Sequence, residues 1–214
     1  MSFSSSLFRL GFYSALSLCL FLASHSTAHA AQDNTPAAQQ STAAPAAAAQ
    51  SAYDFTFYAI DGTETPLSAY RGKVVLLVNT ATGCGFAGHF RELQKLQETY
   101  AGQGLVVIGV PSNDFGGQEP LDGDVLAQTV ADTYGATFPL MQKTAVSGPA
   151  AHPFYSWAVA QKVGGAFSGK PRWNFHKYVI GRDGRLVASV GPTTGPQASS
   201  FINTLQKALS QKIE

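Results

Sequence analysis

Cys84 sits in VVLLVNTATGCGFAGHFRELQKL (74–96), directly after a continuous apolar run and at the start of a stretch with helical periodicity. Unpaired N–H groups and a partial positive charge collect at a helix N-terminus, and both favour a thiolate over a thiol. A single thiol in that position suits redox or acyl-transfer chemistry. Many free cysteines are simply small buried hydrophobes. Here Thr80, Ala81, Thr82, Gly83 and Gly85 make the surroundings small and polar, and the strand-to-helix position favours reactivity. His89 lies five residues on, nearly one and a half helical turns, which takes it off the thiol's face. It reads as a surface histidine rather than as the base of a Cys-His dyad.

The elements that must hold this thiol follow from hydrophobic patterning. Val74 to Val78 and Leu105 to Val110 are short, continuous and β-branched, the pattern of strands buried on both faces of a parallel sheet. Between them Phe86, Phe90, Leu93, Leu96 and Tyr100 recur at three- and four-residue spacing, with Gly102 and Gly104 as the stop. This predicts a right-handed βαβ unit. Ahead of it, Phe55 to Ile60, the turn Asp61-Gly62 and Leu67 to Tyr70 predict a hairpin. Behind it come a helix over Asp124 to Tyr134 and another from His152-Pro153. A hairpin of His176 to Ile180 with Leu186 to Val190 follows, then a last helix opened by Pro196. The order β-α-β-α-α-β-β-α is that of an α/β, thioredoxin-like fold, a central mixed sheet flanked by helices. Such a fold leaves function open.

Residues 1–30 carry Arg9 as their only charge, an apolar stretch from Leu10 to Ala23, and Ala28-His29-Ala30 as a small-residue cleavage site. This pattern predicts a secretory signal peptide and a periplasmic or secreted protein. The stretch falls short of the roughly 20 residues of a spanning helix, so no stable membrane insertion is expected after cleavage. Leu18 before Cys19 is too large for a lipoprotein cleavage site. Residues 31–50, AQDNTPAAQQSTAAPAAAAQ, are nearly uncharged and interrupted by Pro36 and Pro45, which predicts a disordered linker. Residues 51–214 then form one domain. Losing Arg9 leaves basic residues equal to the 13 acids, and with no basic run this argues against nucleic-acid binding. Losing Cys19 leaves Cys84 alone, so no internal disulfide can form. His89, His152 and His176 lack the spacing of a metal site, and no metal or cofactor is assigned.

Three motifs stand in order along this domain: NTATGCGF (79–86), PSNDFGGQEP (111–120) and WNF (173–175), with YGATFPL (134–140) and AHPFY (151–155) between the last two. Together they resemble the glutathione peroxidase family from about Phe55 to Leu209. The resemblance implies a thiol-dependent peroxidase in which Cys84 attacks the peroxide and Gln118, Trp173 and Asn174 assist. It also implies a peroxide and a thiol such as glutathione as small-molecule partners. Taken singly, Gln118 reads as a solvated loop residue, Trp173 as a core or rim aromatic and Asn174 as a turn former. Their joint order around Cys84 reverses those readings. The chemistry has a use for them: a free cysteine has a pKa of about 8.5, and a helix end offers roughly 0.3 to 1 kcal/mol, less than one pKa unit. Neutral amide and indole N–H donors add to that without a competing ionisable group. Gly116 and Gly117 would let the loop bend back so that Gln118 reaches the sulfur.

The sequence departs from the family at Ser112, where many relatives carry cysteine, and at Asp114, where many carry glutamine and where a carboxylate could repel an anionic sulfur. Val130 stands where relatives that use thioredoxin carry a resolving cysteine. A one-cysteine cycle closed by an external thiol, glutathione by family, is therefore expected. Lys170, Arg172 and Lys177 form a loose basic trio that is either a solvated face or a draw for a reductant's carboxylates. The short stretch 163–172 implies, by the family pattern, a monomer. Three other readings fit the fold. An exported dithiol oxidoreductase needs Cys-x-x-Cys, but Ala87 stands at the second position, and a copper carrier would need cysteine at Gly88. A non-catalytic binding module would leave Cys84 inert.

Overall fold

The computed structural model describes residues 50–163 and 169–212. The predicted signal peptide and, apart from Gln50, the predicted linker lie outside the described residues, as does part of the stretch 163–172.

Strands β1 (Thr56–Tyr58) and β2 (Glu64–Pro66) form an antiparallel hairpin, and a 3-10 turn at Leu67–Tyr70 leads into β3 (Val74–Thr80). There follow α1 (His89–Tyr100), β4 (Leu105–Pro111), α2 (Gly123–Tyr134), α3 (Pro153–Ala160), β5 (Lys177–Ile180), β6 (Leu186–Val190) and α4 (Ser199–Ser210). The main sheet runs β4-β3-β5-β6, with β3 parallel to β4 and antiparallel to β5, and β5 antiparallel to β6. This is the thioredoxin-like mixed sheet that the sequence predicts.

Every residue of β3 is buried, because the strand is covered on both faces. Alternation divides it. Val74, Leu76 and Val78 pack with Phe90 and Leu93 of α1, Leu126 of α2 and Phe201 and Leu205 of α4. Val75 and Leu77 pack instead with Phe55, Phe57 and the α3 residues Phe154 and Trp157. The two cores lock the strand register, since a one-residue slip would exchange their contents. The Asp122 side chain caps α2, and left-handed Gly135 (φ 64°) ends it. His152 caps α3, with its Nδ1 accepting from Phe154 N–H and Pro153 in the first turn.

Three expectations are corrected. Helix α1 begins at His89 rather than at the thiol: residues 84–89 make i→i+3 turns, Ala87 N–H to Cys84 O at 2.9 Å and His89 N–H to Phe86 O at 2.8 Å. Gly85 has low helix propensity, so the turns run on to Gly88, which caps α1 without a side-chain bond. Helix α4 begins at Ser199, three residues after Pro196, because Ala198 N–H first closes a turn on Gly195 O at 3.0 Å. His89 is buried rather than on the surface, with its ring edge-on to Phe175 at 5.5 Å.

Candidate functional site

Cys84 lies just beyond the carboxyl end of β3, 5% exposed, at the rim of the α1-side core. Its sulfur accepts a hydrogen bond from Phe86 N–H at 3.4 Å. That donor comes from the tight turn that replaces the expected helix start, so the turn supplies locally what the helix end was expected to supply.

The loop after β4 carries Gln118. Gly116 and Gly117 take left-handed backbones (φ 66° and 63°), which bend the loop back as predicted. The chain closes on the thiol turn where Gly83 N–H donates to Gln118 O at 2.9 Å. A Cβ at Gly83 would stand 2.9 Å from that same oxygen, so glycine is required for the approach. Beside it the buried Glu119 carboxylate accepts from Thr82 N–H at 2.9 Å, Thr82 Oγ1–H at 2.8 Å and Leu121 N–H at 3.4 Å. The thiol turn and the Gln118 loop are thus joined by both backbone and side chain.

The third piece is the turn before β5. Asn174 is fully buried, and its Nδ2 donates to Gln118 Oε1 at 3.0 Å and to Phe115 O at 3.4 Å. This contact occupies the oxygen end of the Gln118 amide, and among the described residues its NH2 end has no hydrogen-bond acceptor. Trp173 is 37% exposed and lies tilted on Phe115, ring centroids 5.9 Å apart. Gln118 and Asn174 are thus in direct contact, the Gln118 loop is joined to the Cys84 turn through Gly83, and Trp173 lies on Phe115, whose carbonyl Asn174 also holds.

Sequence reasoning missed Asn79 and Glu119, whose partners are distant in the chain. Asn79 Nδ2 donates to Trp173 O at 3.1 Å, and its Oδ1 accepts from His176 N–H at 3.1 Å. Phe175, between them, adopts φ 63°, an outlier for a bulky residue.

Several charges differ from expectation. The Asp114 carboxylate is taken up by Val146 N–H at 2.6 Å and Ser147 N–H at 2.8 Å, so it serves as a loop clamp. Lys177 does not join Lys170 and Arg172 on a basic face. It is fully buried, donates to Phe175 O at 2.8 Å, and burial brings its pKa down to about 8. Burial first, and the Lys177 charge second, hold both His89 and His176 neutral with pKa values of about 4. Lys170 and Arg172 instead line a cavity of about 220 Å³ with His176, Ser189, Gly191, Pro192 and Thr193. Among the described residues no group of three or more His, Cys, Asp or Glu gathers as a metal site, and no helix is long and apolar enough to cross a membrane.

The family model described as glutathione peroxidase matches residues 52–159. The chain is 42% identical over 146 residues to a glutathione peroxidase homolog, BsaA, of Halalkalibacterium halodurans, covering 68% of this chain and 92% of that one. The chain belongs to the glutathione peroxidase family. It is also 41% identical over 145 residues to a glutathione peroxidase of Lactococcus lactis, covering 68% of this chain and 92% of the relative. The crystal structure of Trgpx in its apo form superposes with a TM-score of 0.63 at 33% identity, over 78% of this chain and all of that one. Family and fold make the protein a thiol-dependent peroxidase, an oxidoreductase of the glutathione peroxidase type.

Proposed function

We propose that Cys84 is the nucleophile of a one-cysteine peroxidase cycle, assisted by Gln118, Trp173 and Asn174 and reduced by glutathione. The observation that carries this reading is the convergence on the thiol turn of Gln118, through Gly83, and of Asn174, through the Gln118 amide. The Cys84 thiolate attacks one peroxide oxygen, an S–O bond forms, and the O–O bond breaks. The sulfur is oxidised by two electrons to sulfenic acid, and the departing oxygen takes a proton to leave as water or an alcohol. The Phe86 N–H supports the anionic sulfur. The Gln118 NH2 and the Trp173 indole N–H are the donors offered to sulfur and leaving oxygen. Asn174 acts on Gln118 by holding its oxygen end.

One external thiol then condenses with the sulfenic acid, releasing water and forming a mixed disulfide. A second displaces it, restoring Cys84 and releasing the oxidised disulfide. Val130, at the place of a resolving cysteine, supports this external route. The cavity lined by Lys170, Arg172 and His176 supports a reductant that carries carboxylates, as glutathione does. The apolar stretch at 10–23 supports export, and the short segment before Trp173 supports a monomer. Intact mass after one equivalent of hydrogen peroxide, with and without glutathione, tests the cycle. A gain of one oxygen, then a glutathione adduct, then the free thiol is expected. An unchanged mass would sink the assignment of Cys84.

A further inference from the structure

We propose that Asn79 is a positioning residue of this peroxidase, whose buried amide fixes the turn that presents Trp173 and Asn174 at the thiol. The proposal rests on the site assignment above. Asn79 is the penultimate residue of β3, the strand that delivers Cys84, and it is fully buried directly after the apolar run Val74–Val78. A carboxamide there is tolerable only with partners at both ends. It has them, in Trp173 O and His176 N–H, each at 3.1 Å. Its main chain adds two more links to the same turn, from Phe175 N–H to Asn79 O at 2.6 Å and from Asn79 N–H to His176 O at 3.4 Å. The next residue, Thr80, is equally buried, yet its hydroxyl has no partner among the described residues, so pairing is not a general property of this strand end.

The turn needs such a hold. Phe175 is buried with φ 63°, a backbone region that a bulky side chain occupies only when its surroundings over-determine it. Asn79 grips the carbonyl two residues before Phe175 and the amide one residue after it, and Lys177 Nζ holds the Phe175 carbonyl. One strand end thereby carries the thiol and fixes the turn with the assisting residues.

Asn79→Asp is the test. It keeps the shape and the acceptor toward His176 N–H, but sets an oxygen against Trp173 O. Single-turnover oxidation of Cys84 by hydrogen peroxide should slow roughly 10- to 100-fold, the scale of an ångström-sized misplacement. In a Trp173→Phe/Asn174→Ala background the same change should slow it less than about threefold, because the groups it positions are gone. Acrylamide quenching of the rim tryptophan, Trp173, should rise in Asn79→Asp, with the signal of the buried Trp157 unchanged. A parent-like oxidation rate, or an equal loss in both backgrounds, would overturn the proposal. Should Asn79→Asp not fold, Asn79→Ser, too short to bridge the turn, gives the same comparison. Failure of the underlying site reading is distinguishable, since Cys84 would then resist peroxide, or Trp173→Phe/Asn174→Ala would oxidise normally, before any change at Asn79; either result also overturns the positioning role.

Discussion

Glu119 holds Thr82 twice, one carboxylate oxygen on the backbone N–H at 2.9 Å and the other on the hydroxyl at 2.8 Å, and both residues flank the candidate site in sequence. Thr82 precedes Cys84 by two residues, and Glu119 follows Gln118 directly. Glu119→Gln sets an NH2 group against backbone donors at Thr82 or Leu121. It should cost about 1 to 3 kcal/mol of stability, read as a lower urea midpoint at unchanged slope. Cys84 oxidation should slow as well. A Glu119→Gln protein of parent stability would show that the buried carboxylate is dispensable.

Cys84→Ser should abolish peroxide turnover while leaving the thermal melting temperature within a few degrees of the parent, since one atom changes in a small, largely enclosed space. Residual turnover near the parent rate in a peroxide-consumption assay would move the chemistry to another residue.

Asn174 and Gln118 meet at 3.0 Å and should behave as a unit. Gln118→Ala and Asn174→Ala should each slow sulfenic acid formation by about 5- to 150-fold, equivalent to roughly 1 to 3 kcal/mol for a lost donor. Stopped-flow rates of the double variant should fall little below the worse single one. Fully multiplicative losses would mean that Asn174 acts independently of Gln118.

Stability should fall on acidification between pH 6.5 and 4. His89 and His176 have folded pKa values of about 4, against an ordinary 6.5. Over that window the unfolded chain binds more protons, so the contribution is complete above 6.5 and is lost as pH drops through 4. The loss should be on the order of a few kcal/mol in denaturant titrations at stepped pH. His89→Gln should flatten the profile. Lys177, lowered to about 8, adds stability as pH rises from 8 toward 10.5 by the same sign.

Much of this was legible in the chain. The strand runs at 74–78 and 105–110 and the α1 periodicity have one-dimensional signatures, because their residues contact neighbours three, four or two positions away. The position of Cys84 after β3, and the bend at Gly116-Gly117, followed from the same local rules. The α1 start did not, because glycines on both sides of Phe86 favour tight turns over a helix that periodicity alone extends backward. Asn79, Glu119 and the burial of His89 escaped for another reason. Asn79 meets groups 94 and 97 residues away and Glu119 one 37 away, and no local pattern encodes such pairings. Lys177 was misread because charge suggests exposure, whereas its strand crosses the centre of the sheet.

The partners that join the loops around Cys84 are a side-chain amide, a hydroxyl, backbone N–H groups and a backbone carbonyl: Thr82 and Leu121 for Glu119, Gln118 for Asn174, Trp173 O and His176 N–H for Asn79. Buried bonds of this kind have no counterion atmosphere to disturb, whereas Lys170 and Arg172 face an open cavity where mobile ions screen them over about 10 Å at 0.1 M salt. If the proposed reductant binds at Lys170 and Arg172, raising ionic strength should slow the reductive half of the cycle and leave the oxidative half nearly untouched.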